Sequence, residues 1–208
     1  MNKKELAKQL LLEIEKIYPN ASTELENWKT PFQFLVCIML SAQTTDKQVN
    51  KITRKLFEKY PDAKSLSVAD IDAVTDLVKS VNYFKTKAKH IVETAKLLES
   101  NYKGVPPKDV DELQKLPGVG YKTANVFLND LYKLNQGIAV DTHVVRVART
   151  YGLTQNINPT KIAHDLEKLY PKKDWYKVNA LFVLYGRYIL KAKKRVEQKV
   201  VLKENIVL

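Results

Sequence analysis

Leu116-Pro-Gly-Val-Gly-Tyr-Lys-Thr-Ala-Asn-Val126 compresses a helix end, a tight turn and a helix start into one short segment. Residues 109–115 look helical, Pro117 and Gly118 force a turn, and Gly120 opens a second helix with Tyr121, Lys122 and Thr123 in its first turn. Gly118 and Gly120 permit close approach to a partner's backbone, and amides at the start of the second helix are donors suited to a phosphate. Lys122 stands where the helix dipole is already positive, so something must justify a cation there. Two readings compete, a phosphate contact and a catalytic amine. The second needs a carboxylate, and Asp141 in Ala139-Val-Asp-Thr-His-Val-Val-Arg-Val147 is a candidate. An Asp directly before a helix is equally an ordinary N-cap.

The composition around this segment narrows the partner. Lys and Arg number 35 against 23 Asp and Glu, a net charge of +12, which makes a polyanion the leading partner. With 208 residues, 45% of them hydrophobic, the chain is long enough for a real core in one domain or two small ones. The longest apolar run, Phe34-Leu-Val-Cys-Ile-Met-Leu40, is far short of the ~20 residues needed to span a membrane. The N-terminus lacks an apolar segment with a small-residue cleavage site, so a cytoplasmic location is expected. A single cysteine, Cys37, among apolar neighbours, reads as core and leaves no disulfide framework, four-Cys zinc site or four-Cys iron–sulfur cluster. His90, His143 and His164 share no ligand-like spacing, so no metal is expected.

Periodicity is helical almost throughout. Leu6, Leu10, Ile14 and Ile17 make one apolar stripe, and further helices are expected at 31–43, 46–59, 68–79, 86–101, 109–115, 120–133, 142–150, 159–169 and 175–191. Turn signals such as Tyr60-Pro61-Asp62 and Gly104-Val-Pro-Pro107 separate them. The class is all-α. The tail 200–208 has enough β-branched residues to read as a strand or an extended packing segment. No connection is long enough to be a free linker, so any two lobes should pack together, with a cleft as the natural site.

Four blocks together resemble the endonuclease III family: Leu40-Ser-Ala-Gln-Thr-Thr-Asp46, Leu116 to Asn125, Val140-Asp-Thr-His-Val144 and Leu184-Tyr-Gly-Arg-Tyr188. They stand in that family's order and spacing. The hairpin followed by Val-Asp marks the helix-hairpin-helix DNA glycosylase superfamily, and a Lys within the hairpin marks its lyase-competent branch. The resemblance implies a two-lobed fold, a helical barrel lobe over 24–134 and a second lobe from 1–23 and 135–208, with a DNA-binding cleft between them. It implies a bifunctional enzyme that removes oxidised pyrimidines from double-stranded DNA and cleaves abasic sites, expected to act as a monomer in the bacterial cytoplasm, associated with the nucleoid.

By the same resemblance Lys122 attacks the sugar C1′ and forms a Schiff base that breaks the 3′ bond by β-elimination, while Asp141 stays ionised and stabilises positive charge on the sugar. An ordinary lysine amine, with a pKa of ~10.4, is neutral in on the order of 0.1% of molecules or fewer near pH 7, so the site must supply the difference. Reaching a base inside a duplex requires flipping it out, and the hole must be filled. Gln43 matches the family's plug and has both donor and acceptor groups, although alone it reads as an ordinary helix-end polar residue. Tyr83 falls where the family has an apolar wedge, with a core-facing aromatic as the alternative. Asp46 and His143 fall in matching blocks and are expected to shape the base pocket. Gly118, Gly120, Tyr121, Thr123, Lys191 and Lys193 complete the expected DNA contacts.

The chain also departs from the family. Many members carry four cysteines after the Gly-Arg-Tyr block that hold a [4Fe–4S] cluster; here those positions fall near Leu190, Glu197, Val200 and Ile206, so no cofactor is expected and apolar packing should replace part of the bracing. Residues 187–203 still hold seven cations (Arg187, Lys191, Lys193, Lys194, Arg195, Lys199, Lys203) against Glu197, which reads as phosphate contact or as a solvated face. Tyr121 stands where Arg or Lys is common. Two rival readings fit the same residues: a monofunctional glycosylase in which Asp141 activates water, and a hairpin module that binds DNA without chemistry.

Overall fold

A computed structural model describes residues 2–191. The tail 200–208 and the ligand positions Glu197, Val200 and Ile206 lie outside the described residues. The elements are α1 (Lys3–Ile17), α2 (Pro31–Ser41), α3 (Asp46–Lys59), α4 (Ala63–Ser67), α5 (Ile71–Val78), α6 (Phe84–Tyr102), α7 (Val110–Gln114), α8 (Tyr121–Tyr132), α9 (Thr142–Thr150), α10 (Pro159–Leu169), a 3₁₀ turn (Lys172–Asp174) and α11 (Trp175–Tyr188). No strand occurs among the described residues, so the all-α expectation holds.

Most helix starts follow from capping. Thr30 accepts from the Gln33 amide and Pro31 takes the first turn of α2, where a missing N–H costs nothing. Asn2 with Glu5 and Asp62 with Ser65 form reciprocal capping boxes on α1 and α4. Helix α4 was not anticipated, because Tyr60-Pro61-Asp62 reads as a turn although its Asp also nucleates one short helix. Helix α2 ends at Ser41 rather than 43, since Gln43 takes φ 54° and leaves the helix. Helix α5 starts at 71 rather than 68, because Asp70 caps it, and α11 stops at Tyr188 rather than 191.

The chain divides into two compact units: Glu24–Leu131, and the segments up to Thr23 and from Tyr132 onward. In the first, α2 is the central element, and every residue from Phe32 to Leu40 is buried. The Phe34 ring lies 4.6 Å from Trp28 and 6.1 Å from Phe127 of α8. Helix α6 packs against α2, α4 and α5. In the second unit α11 packs on α1 and α9, and α10 on α1 and α9. The Tyr170 hydroxyl donates to the Ala7 carbonyl at 3.0 Å, tying the N-terminal helix to the C-terminal segment.

Two glycines are required by this packing. At Gly118, φ is +77° and an added Cβ would lie 2.7 Å from His90 Nδ1. At Gly186, in the Leu-Tyr-Gly-Arg-Tyr block, a Cβ would lie 2.9 Å from the His143 Cβ and 3.0 Å from its carbonyl oxygen, so α9 and α11 touch backbone to backbone there. Gly186→Ala should destabilise the protein by roughly 1–3 kcal/mol through overpacking. Gly118→Ala should cost at least about 1–2 kcal/mol from the left-handed backbone alone. Urea denaturation followed by circular dichroism checks both, and midpoints equal to wild type would contradict the packing described.

Candidate nucleic-acid interface and catalytic residues

The hairpin belongs to the Glu24–Leu131 unit and is held from behind by α6. The Thr94 hydroxyl, fully buried, donates to the Pro117 carbonyl at 3.0 Å, and His90 fills the space behind Gly118. The Val119 amide donates to the Leu116 carbonyl at 3.1 Å, closing the turn, and the Gly120 carbonyl takes the first bond of α8 from Ala124 at 3.0 Å. Gly118 and Gly120 are exposed, and a Cβ at Gly120 would meet nothing within 4 Å. Gly118 is therefore demanded by the fold, whereas the empty space at Gly120 faces outward, where a partner's backbone can approach. Lys122 is exposed, with Tyr121 and Thr123 half-buried beside it in the first turn of α8.

Gln43 and Tyr83 occupy two adjoining turns of the same unit. Both are exposed and both are left-handed, Gln43 at φ 54° and Tyr83 at φ 56°. Tyr83 is 66% exposed, which removes the core-facing alternative. Asn82 joins the turns: its side-chain amide donates to the Gln43 carbonyl, and its backbone amide donates to the Thr44 hydroxyl at 3.3 Å. Lys87, in the first turn of α6, donates to the Leu40 carbonyl at 2.7 Å, the Ala42 carbonyl at 2.6 Å and the Thr44 hydroxyl at 3.1 Å. Asp46 is the first residue of α3, half-buried, next to its N-cap Thr45.

In the other unit, Asp141 caps α9. Its Oδ1 accepts from the His143 amide at 2.8 Å and the Val144 amide at 2.9 Å. The N-cap reading is thus correct, and it does not exhaust the carboxylate, whose Oδ2 takes no hydrogen bond among the described residues. Asn179 of α11 donates to the Ala139 carbonyl at 2.7 Å and fixes the strand of chain leading to the cap. Half-buried His143 shares its Nδ1 with the Arg146 guanidinium at 2.8 Å, and Arg146 also donates to the Leu190 carbonyl at 2.6 Å and to that of Gly186. Lys191 is exposed; Lys193, Lys194, Arg195, Lys199 and Lys203 lie outside the described residues.

The residues do not fit an iron–sulfur cluster. Cys37 is the only cysteine in the chain, and burial pushes its thiol up to about 12, so it stays protonated. Leu190, at the first of the four ligand positions, is fully buried as a core side chain. Among the described residues no group of three His, Cys, Asp or Glu is placed to hold a metal ion, and no helix is long and apolar enough to cross a membrane.

Sequence reasoning passed over Lys87, Asn82, His90 and Thr94. Lys87 offered a signal: it sits one turn before Ile91 on the stripe completed by Ala95 and Leu98, all buried, where a lysine needs acceptors. His90 and Thr94 gave none, because their partners lie in a turn more than 20 residues away.

The chain is similar to known proteins in both sequence and fold. Residues 36–172 match the family model of the HhH-GPD superfamily of base excision DNA repair proteins. Endonuclease III of Synechocystis sp. is 40% identical over 193 residues, covering 93% of this chain and 88% of that protein. Endonuclease III of Rickettsia felis is 43% identical over 176 residues, covering 85% and 82%. The solved structure of a trapped endonuclease III–DNA covalent intermediate superposes with a TM-score of 0.88 at 36% identity, covering 93% of this chain and 90% of that one. The chain belongs to the HhH-GPD superfamily of base excision DNA repair proteins, in the branch of the endonucleases III.

Proposed function

We propose that this protein is a bifunctional DNA glycosylase and abasic-site lyase of base excision repair, that Lys122 is its nucleophile and that Asp141 is its carboxylate. The observation that carries the reading is an exposed Lys122 directly behind an outward-facing glycine hairpin; in the other unit, the Asp141 carboxylate uses only its Oδ1 in capping α9, which leaves its second oxygen for chemistry. The hairpin grips phosphates without reading bases. The neutral Lys122 amine attacks C1′, and the base leaves with the bonding electrons and a proton. The sugar ring opens to the imine, a C2′ proton is removed, and the electron pair expels the 3′ phosphate; water then hydrolyses the imine and frees the lysine. An ionised Asp141 opposes the positive charge that builds on the sugar.

Gln43 fills the hole left by the flipped nucleotide and offers its amide to the orphaned partner base, while Tyr83 stacks into the adjoining step. Tyr121, Thr123 and Lys191 add backbone contacts, as do the cations beyond residue 191, and Asp46 and His143 line the base pocket. Oxidised pyrimidines are the substrate class, the protein acts as a monomer in the bacterial cytoplasm on nucleoid DNA, and catalysis proceeds without a cluster, since no step above calls for one. The barrel lobe corresponds to the Glu24–Leu131 unit and the second lobe to the segments up to Thr23 and from Tyr132 onward, a boundary three residues earlier than the 134/135 expected from the sequence.

Duplexes carrying thymine glycol, dihydrouracil, an abasic site or no lesion, scored separately for base release and nicking, test the reading. Both activities are expected on the oxidised pyrimidines and nicking alone on the abasic site; base release with no nicking would contradict the lyase role. Asn caps helices as well as Asp, so Asp141→Asn should keep the wild-type melting temperature and lower base release by about 10²–10³-fold. Unchanged turnover would remove the carboxylate from the mechanism. Gly120→Ala should leave stability unaltered and weaken duplex binding about tenfold, or ~1.4 kcal/mol, in a fluorescence anisotropy titration. Wild-type affinity would mean that no backbone approaches that glycine.

A further inference from the structure

Lys87 is a buried cation that the reaction above does not use. Only 8% of it is exposed, and burial lowers its pKa from the ordinary lysine value. A methionine would fill the same space without the desolvation cost, so the ammonium must be there for its three acceptors. Two of them, Leu40 and Ala42, present the C-terminal carbonyls of α2, which lack intrahelical donors and favour a nearby cation. The third, the Thr44 hydroxyl, also accepts from the Asn82 amide, while the Asn82 side chain holds the Gln43 carbonyl. One cation from α6 thus reaches the turn bearing Gln43, and Asn82, one residue before Tyr83, reaches it from the other side.

Both turns carry residues that local preference disfavours. Gln43 stands one residue past the C-cap of α2 in the left-handed conformation, where glycine is usual. Tyr83 is the N-cap of α6, left-handed and with no side-chain capping bond, where Ser, Thr, Asp or Asn is usual. Each is disfavoured against a residue suited to the place. Large exposed side chains kept there, on a framework that holds their backbones still, mark a rigid double prong. Further along the same side of α6, at steps of three and seven residues from Lys87, His90 and Thr94 hold the hairpin turn. Helix α6 therefore also sets the spacing between the prong and the phosphate grip.

We propose that Lys87 is a positioning residue that locks the 42–44 and 82–83 turns together, so that Gln43 and Tyr83 enter the duplex as one preformed unit and hold the target nucleotide out. This rests on the glycosylase reading. The test compares single-turnover base release from a duplex oxidised pyrimidine with cleavage of an abasic site in a single-stranded oligonucleotide, which has no stack to open. Lys87→Met is expected to slow duplex base release by on the order of 10²-fold and to change single-strand cleavage at least about tenfold less. The exposed Asn82→Ala variant, which leaves the buried lysine in place, should show the same split in smaller measure. Adding Lys87→Met to a variant that already carries Gln43→Ala and Tyr83→Ala should slow duplex base release no further, because the lysine acts through those two side chains.

Equal losses on both substrates, or a further loss when Lys87→Met is added to the variant lacking both prong side chains, would reduce Lys87 to a fold-stabilising residue and overturn the proposal. Unimpaired duplex excision by Lys87→Met would overturn it as well. Wild-type protein inactive on both substrates would instead strike the glycosylase reading itself, and the Lys87 role with it.

Discussion

At Gly118 the chain turns with φ +77° over the His90 ring, and the buried Thr94 hydroxyl holds the preceding carbonyl. Everything presented outward from the hairpin depends on that inner seam. Without it the turn would have to find its shape from Pro117 and two glycines alone, and glycines supply freedom rather than definition. The seam uses α6, the longest helix described, whose apolar stripe is anchored in the core by Ala88, Ile91, Ala95 and Leu98. A DNA grip of this kind reads no bases, so its useful property is a fixed backbone at a fixed place.

The same economy is visible at Asp141. One carboxylate oxygen nails down the first turn of α9 through two amides, and this fixes the orientation of the other. The structural role therefore does not compete with the chemical role proposed for this residue. A carboxylate oriented by its own helix loses little on meeting a developing charge, because no reorganisation remains to be done.

Helices were legible in the sequence wherever an apolar stripe coincided with a cap, as at α3, α9 and α10, whose limits agree with expectation to the residue. Errors fell where a single residue overrides periodicity: Gln43 cutting α2 short, Asp70 delaying α5, Asp62 starting α4. Of the candidate site, Lys122, Asp141, Gln43 and Tyr83 were nameable from motif blocks. Their supports were not, because Lys87, Asn82, His90 and Thr94 act through contacts 23 to 47 positions away, or through ring packing, which no local pattern encodes. At the cluster positions the opposite holds. One cysteine in the whole chain rules out four thiolates before any fold is known, and the buried Leu190, with its carbonyl on the Arg146 guanidinium, indicates how the end of α11 is braced.

The proposed chemistry requires one particular amine, that of Lys122, to form the covalent bond to deoxyribose. Borohydride reduction during turnover of an abasic duplex, followed by protease digestion and mass spectrometry, locates the modified lysine among the many in this chain. The sugar remnant should sit on Lys122, and an adduct on any other amine, or none, would contradict the assignment.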